Sequence, residues 1–329
     1  MSYVVTGGCG FIGSNFVNYL CDTTDSTVFV IDKMTYAANE SNIDLEHYSS
    51  GQVRVYKCDL AIGCDALDKI LEHNEVNGIF HFAAESHVDN SIAGPRIFVD
   101  ANVVGTFNLL EKCLKHNIPR FLQVSTDEVY GALTENGPSF TEGMRLDPNN
   151  VYSATKASAD LLVRSFHKTY GLNVVTTRCC NNYGPRQDSE KLIPKVICNA
   201  LNNVTIPVYG KGVNVREWIH VFDHCTAIKA VFDHGQTGDI YNIGSGVEVK
   251  NLDLVKRILK IVGRPAKLIK FVKDRAGHDF RYSIDCSKFE QLVTVGETPD
   301  EDIWTLQYGK SKFNEGLEQT VKWYKETLT

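Results

Sequence analysis

Tyr152 and Lys156 stand four residues apart in the segment VYSATKASADLLVRSF, a spacing that puts both side chains on one face of a helix. A lysine ammonium beside a phenol favours the phenolate and lowers the tyrosine pKa toward neutral pH. Tyr152 is therefore a candidate general base for a sugar or alcohol hydroxyl. Upstream, Thr126-Asp127-Glu128 adds a hydroxyl and two adjacent carboxyl groups. Elimination of water needs one carboxylate as base and one carboxylic acid as proton donor, with their pKa values pushed apart. Neighbours in an extended strand point to opposite faces, so both acids reach one substrate only if the chain turns at Thr126. Taken singly, a YxxxK pair is common on helices and an Asp-Glu pair is ordinarily a solvated loop. Their weight comes from occurring together, behind the N-terminal segment that positions them.

That segment is a short apolar run, SYVVT, followed at once by GGCGFIGSNFVNYL. Gly7, Gly10 and Gly13 permit a tight turn and close backbone approach, and the helix that follows offers unpaired N–H groups to a pyrophosphate. A second apolar run, TVFVID, ends in Asp32, where a carboxylate can accept from the adenosine ribose hydroxyls and would repel a 2′-phosphate. The expected cofactor is NAD rather than NADP. Further apolar runs, VRVYKCD, GIFHFAA, RFLQVST and NVVTTRC, alternate with helical patterns near 11–22, 64–74, 105–117 and 151–170. This alternation predicts an α/β fold, a doubly wound parallel sheet covered on both faces. Ligands in such folds bind beyond the carboxyl ends of the strands, and Thr126-Asp127-Glu128 falls at one of those ends. The expected division is a Rossmann unit over 1–178, which also receives part of about 213–240, and a smaller α/β substrate-binding lobe over 179–329. An amphipathic helix near 313–328 closes the chain.

Thirty-four basic against 40 acidic residues give a net charge of −6 without a long run of either sign, which argues against a nucleic-acid partner. No apolar stretch approaches the ~18 residues of a membrane span, and the first strand begins too early for a signal peptide. Ten cysteines show neither CxxC nor Cys/His ligand spacing, so no metal is expected. The sequence reads them as reduced thiols in a cytoplasmic enzyme, most of them acting as small buried hydrophobes.

In chain order, TGGCGFIGSN, DKMTYAAN, HFAAESHVDNSI, STDEVYG, YSATK, CNNYGP, EKLIPKVI, REWIHV, YNIGSG and DRAGHDFRY resemble the nucleotide-sugar 4,6-dehydratases, which are extended short-chain dehydrogenases. Among these the dTDP-glucose and UDP-glucose enzymes look most similar. The resemblance covers essentially the whole chain; GxxGxxG and YxxxK identify only the superfamily, whereas Thr-Asp-Glu before VYG, AAESHVD and DRAGHD are more specific. It implies a redox-neutral reaction on bound NAD. Tyr152 takes the C4 hydroxyl proton as hydride leaves C4, Glu128 removes the C5 proton, Asp127 protonates the departing C6 hydroxyl, and hydride returns to C6. Thr126 would bond the C4 oxygen, and Lys156 the nicotinamide ribose. The product is a 4-keto-6-deoxy nucleotide sugar, a step of rhamnose-type deoxysugar biosynthesis.

The same resemblance carries over cofactor contacts at Phe11, Ile12, Lys33, Met34, Thr35, Asp59, Leu60, Ala83, Ala84, Glu85, Ser86, Asn102 and Asn182, besides the three glycines and Asp32. Substrate contacts fall at His87, Thr126, Asn181, Lys191, Leu192, Pro207, Val208, Tyr209, Arg216, Asn251, Arg275 and His278. Arginine suits the diphosphate, since its fork bonds two oxygens at once. Family members pair through helices corresponding to 105–117 and 151–170, so a homodimer is expected. The stretch between STDEVYG and YSATK is shorter than in the bacterial dTDP-glucose enzymes. The preference between thymine and uracil stays open, because a methyl group is worth only ~1–3 kcal/mol to a pocket. Two rival readings remain. A 4-epimerase or decarboxylase on this fold would also oxidise C4 without eliminating water, but the presence of both Asp127 and Glu128 argues against the epimerase. A catalytically dead NAD-binding protein would be expected to have lost Tyr152, Lys156 or the acid pair.

Overall fold

The computed structural model describes residues 1–274, 278–294 and 304–328. Among the described residues, twelve strands run in chain order: β1 (Ser2–Thr6), β2 (Thr27–Asp32), β3 (Val53–Lys57), β4 (Val76–His81), β5 (Phe121–Thr126), β6 (Val174–Cys179), β7 (Asn181–Tyr183), β8 (Ile206–Tyr209), β9 (Val215–His220), β10 (Ile240–Ile243), β11 (Glu248–Lys250) and β12 (Ile269–Val272). Seven of them form one sheet in the order β3-β2-β1-β4-β5-β6-β10, with every neighbouring pair parallel. The order reverses between β1 and β4, which opens a crevice at their carboxyl ends.

The period of two along each strand explains why both faces are apolar. Val5, Val30, Phe80 and Leu122 face a layer that holds Phe16, Val17 and Leu20 of helix Phe11–Thr23 with Ile228 and Val231 of helix Val221–His234. Their neighbours Val4, Phe29, Ile31, Ile79 and Phe121 face the opposite layer, with Leu67, Ile70, Leu109, Leu110, Val163 and Phe166. A third core, built on Ile193, Val196, Ile197, Leu254, Ile258, Leu317 and Val321, sits beneath the two smaller sheets β11-β9-β7 and β12-β8.

The predicted helix near 105–117 runs from Gly105 to Lys115 and is preceded by a π-helical turn over Val99–Val104. Such turns are often found at functional positions; this one carries Asn102. One expectation about the cysteines is corrected. Cys58 and Cys64 are bonded, with Cα atoms 5.7 Å apart, because the loop after β3 doubles back to begin helix Asp65–His73. The other eight are free and mostly buried. Among the described residues, no helix is long and apolar enough to cross a membrane.

Candidate active site

A cavity of about 460 Å³ lies along the crevice and runs on toward β8, β9 and the helix that begins at Leu192. At its floor the chain leaves β1 through Gly7, whose φ of +68° and close approach exclude a side chain: a Cβ there would lie 2.6 Å from the Ala83 nitrogen. A Cβ on Gly13 would lie 2.2 Å from the Gly7 carbonyl. Gly10 caps helix Phe11–Thr23 without a side-chain bond, so among the described residues no capping side chain takes the first-turn N–H groups at the cavity wall. Asp32 accepts from the Cys9 and Met34 N–H groups at 3.0 and 2.8 Å, which fixes its carboxylate. Burial raises its pKa, and these bonds partly offset the rise. Lys33 pairs with Asp59 at 2.8 Å beside Thr35 and Leu60. These are the features an NAD-shaped ligand needs: a backbone cradle for pyrophosphate and a fixed carboxylate at the end of β2.

At the other side of the crevice β5 ends in Thr126, and the chain turns into a 3₁₀ helix over Asp127–Tyr130. The Thr126 hydroxyl caps that turn by accepting from the Glu128 N–H at 3.3 Å. The turn brings both acids onto the cavity wall with Tyr152 and Lys156. Asp127 is buried; one oxygen accepts from Thr126 at 3.2 Å and the other has no hydrogen-bond partner among the described residues. Its pKa stands well above the ordinary carboxyl range, chiefly through burial and then through Glu128 and Glu217. Glu128 is also raised by burial, but Arg216 and Lys191 oppose the rise. The two acids are thus pushed apart, with Asp127 the more strongly held as the neutral acid.

Tyr152 and Lys156 share one face of helix Val151–Tyr170, with Asn150 capping its start through Ser153. Lys156 does not depress the phenol in the protein alone. Burial, then Glu128, push the Tyr152 pKa well above its ordinary value, with the Thr126 hydroxyl acting against them. The Lys156 ammonium donates to the Val124 carbonyl at 2.8 Å, and burial lowers its pKa.

Of the other positions named from the sequence, Phe11, Ile12, Ala83, Ala84, Glu85, Ser86, His87, Asn181 and Asn182 line the same cavity, as do Lys191, Leu192, Pro207, Val208, Tyr209, Arg216, Asn251 and His278. Two positions do not line it. Met34 has a left-handed backbone and packs its side chain against the apolar layer. Asn102 is buried behind the wall, where its amide clasps both backbone groups of Glu85 and bonds Thr155. Arg275 lies outside the described residues. Arg216 is buried over the Tyr282 ring and donates to the carbonyls of Val215, Asp279 and Phe280. Among the described residues no carboxylate lies within ion-pair distance of it. Sequence reasoning missed Asn150, whose side chain opposes the rise in the Glu128 pKa, and Glu190 and Lys195 on the wall. Asn150 stands just before the YSATK run, and Glu190 and Lys195 lie within EKLIPKVI itself, which are the signals that could have marked them. The grouping of potential metal ligands found among the described residues, Asp22, Glu46 and His47, is not part of the cavity wall.

The sheet order, the glycine cradle and a tyrosine–lysine pair beside the crevice define a dinucleotide-binding protein of the extended short-chain dehydrogenase type. The GDP-mannose 4,6 dehydratase family matches residues 4–294, and the chain belongs to that family. It is 48% identical to the low-salt glycan biosynthesis protein Agl12 of Haloferax volcanii, over 98% of each chain. It is 42% identical to a dTDP-glucose 4,6-dehydratase of Actinoplanes, over 99% of this chain and 98% of that one. DesIV, the dTDP-glucose 4,6-dehydratase of Streptomyces venezuelae, was solved with NAD and dTDP bound. It superposes with a TM-score of 0.89 at 43% identity, over 99% of this chain and 97% of that one.

Proposed function

We propose that this chain converts dTDP-glucose, or UDP-glucose, to the 4-keto-6-deoxy nucleotide sugar, acting as an NAD-dependent hydro-lyase. The observation that carries the reading is the pair Asp127 and Glu128 on one cavity wall with Tyr152, each acid in a different electrostatic setting. When bound, NAD supplies a reversible hydride acceptor and a positively charged ring near the phenol. The cradle of Gly7, Gly10 and Gly13, the Asp32 carboxylate and Lys156 would hold it.

Tyr152 then accepts the C4 hydroxyl proton, while Thr126 bonds the C4 oxygen. The resulting ketone acidifies the proton at C5, which Glu128 removes. Asp127, neutral because it is buried, donates its proton to the C6 hydroxyl, and water leaves. Asn102 acts one step back, holding the Glu85 backbone at the cavity wall. Arg216, Lys191 and His278 would face the diphosphate and nucleoside. In this reading residues 1–178, with part of about 213–240 returning to them as helix Val221–His234, form the cofactor unit, and 179–329 supply most of the nucleotide-sugar pocket.

We assign the enzyme to the cytoplasm, where nucleotide sugars and NAD are at hand, and infer a homodimer. Ile97, Val99, Val104, Phe107, Leu161 and Tyr170 are exposed on and around the helices expected to pair, an arrangement that favours a partner surface. The test of function is parallel incubation with dTDP-glucose and UDP-glucose without added NAD. Loss of one water from at least one substrate, followed by mass, supports the reading. Stoichiometric consumption of NAD⁺ with an oxidised, undehydrated sugar overturns it.

A further inference from the structure

The rim of the cavity is crossed by a set of polar contacts that the proposed reaction does not use. Tyr36 lies between the wall residues Thr35 and Ala37 on the loop after β2, on the cofactor side. Its hydroxyl donates to Glu190 at 3.0 Å and accepts from the Asn90 amide at 3.2 Å. Glu190 belongs to the loop before helix Leu192–Leu201, far away in sequence, and is itself part of the wall. Its carboxylate also lies 3.6 Å from His87 and 3.7 Å from Lys191, and Lys191 donates to the Ser86 carbonyl at 3.0 Å. The loop that carries Glu190 is anchored from behind: Arg186 bonds Asn15 and Asp44, and Gln187 bonds the Asn182 carbonyl.

Tyr36 is 54% exposed, so its hydroxyl adds little to the core. What it does is join the loop after β2 to the loop that carries Glu190 and Lys191, two stretches of the same cavity wall. A reaction in which hydride leaves and returns within one cycle gains nothing from dinucleotide exchange and loses the reduced intermediate if the mouth opens midway. On the reading proposed above, we infer that Tyr36 and Glu190 form a tie across the cleft mouth that retains the dinucleotide through the whole cycle. Both are positioning residues. The phenol keeps its proton because burial, and then the Glu190 carboxylate, hold its pKa above the ordinary range, so it remains a donor to that carboxylate.

The test compares the wild type, Tyr36→Phe, Glu190→Gln and the double variant, all as purified full-length protein. Nucleotide per chain is measured after gel filtration, and the release rate by exchange against labelled NAD. Tyr36→Phe removes a single hydroxyl from a half-exposed side chain outside the core, so apo melting should move little. One charge-assisted, partly exposed hydrogen bond is worth about three- to tenfold in release rate. The variant should lose NAD faster by that factor, with a raised KM for added NAD and an unchanged kcat when NAD saturates. Glutamine leaves the phenol a neutral acceptor, so adding Tyr36→Phe to Glu190→Gln should speed release by less than it does in the wild type. A wild type that retains NAD beside a Tyr36→Phe variant that retains it equally overturns the tie and leaves the proposed function standing. A wild type that carries no dinucleotide overturns both.

Discussion

Replacing Asp127 by Asn keeps the shape of the side chain and its acceptor for the Thr126 hydroxyl, and removes only the proton that the departing hydroxyl would take. General acid catalysis is typically worth about 10²–10⁴-fold, or about 3–5 kcal/mol of barrier. The burial of Asp127 and its partnerless second oxygen place it in the range where the full effect applies. Water loss, followed by mass in a single turnover, should therefore slow by that factor, while exchange of the C5 proton through Glu128 persists. The variant should also change the pH dependence of stability in a defined direction. The folded Asp127 carboxyl is held well above its ordinary value, first by burial and then by Glu128 and Glu217. A group with a raised folded-state pKa contributes stability fully below its unfolded value, about 3.9, and loses it as pH rises through the folded value. Asparagine has no proton to lose. Melting of the wild type should accordingly fall relative to Asp127→Asn from about pH 4 upward, levelling off once the folded carboxyl has ionised. A variant that dehydrates at the wild-type rate, or a melting difference that stays flat with pH, would refute the assignment of Asp127 as a buried neutral acid.

Tyr152→Phe removes the base at C4, so substrate should leave the bound cofactor oxidised. Glu128→Gln should instead show reduced-cofactor absorbance without water loss and without solvent deuterium at C5. Light scattering at micromolar concentration should report a dimer, with roughly 1,600 Å² or more buried between its subunits; a monomer there contradicts the pairing of the helices at 105–115 and 151–170. Thiol titration of protein denatured without reductant should count eight free cysteines, rising to ten after reduction if Cys58–Cys64 is bonded; ten at the outset would refute the bond.

The sheet was legible because buried parallel strands must be apolar on both faces, and TVFVID or RFLQVST has few other ways to fold. The glycine turn was legible for a similar reason, since Gly7 and Gly13 occupy positions where a Cβ has no room. The turn that unites Asp127 with Glu128 followed from chemistry: two neighbours cannot serve one substrate from an extended strand. What pattern could not convey was environment. Four-residue spacing predicts that Lys156 and Tyr152 share a face, but not that the ammonium is taken by the Val124 carbonyl while burial and Glu128 raise the phenol. Asn102 carries no sequence signal for its place behind the wall, because that depends on a π-helical turn that rotates it toward Glu85. The Cys58–Cys64 bond was missed because a spacing of six has no metal or redox signature; only the loop's return brings the sulfurs together. Tyr36 and Glu190 are far apart in sequence, and contact between two exposed loops leaves no periodicity to read.

The claim that one site oxidises C4, eliminates water across C5 and C6 and reduces C6 is tested most directly with sugar nucleotide deuterated at C4. The account predicts that the deuterium appears in the C6 methyl group of the 4-keto-6-deoxy product, in the same molecule that carried it and without dilution by solvent. Deuterium that stays at C4, leaves with released cofactor or washes into water would contradict it.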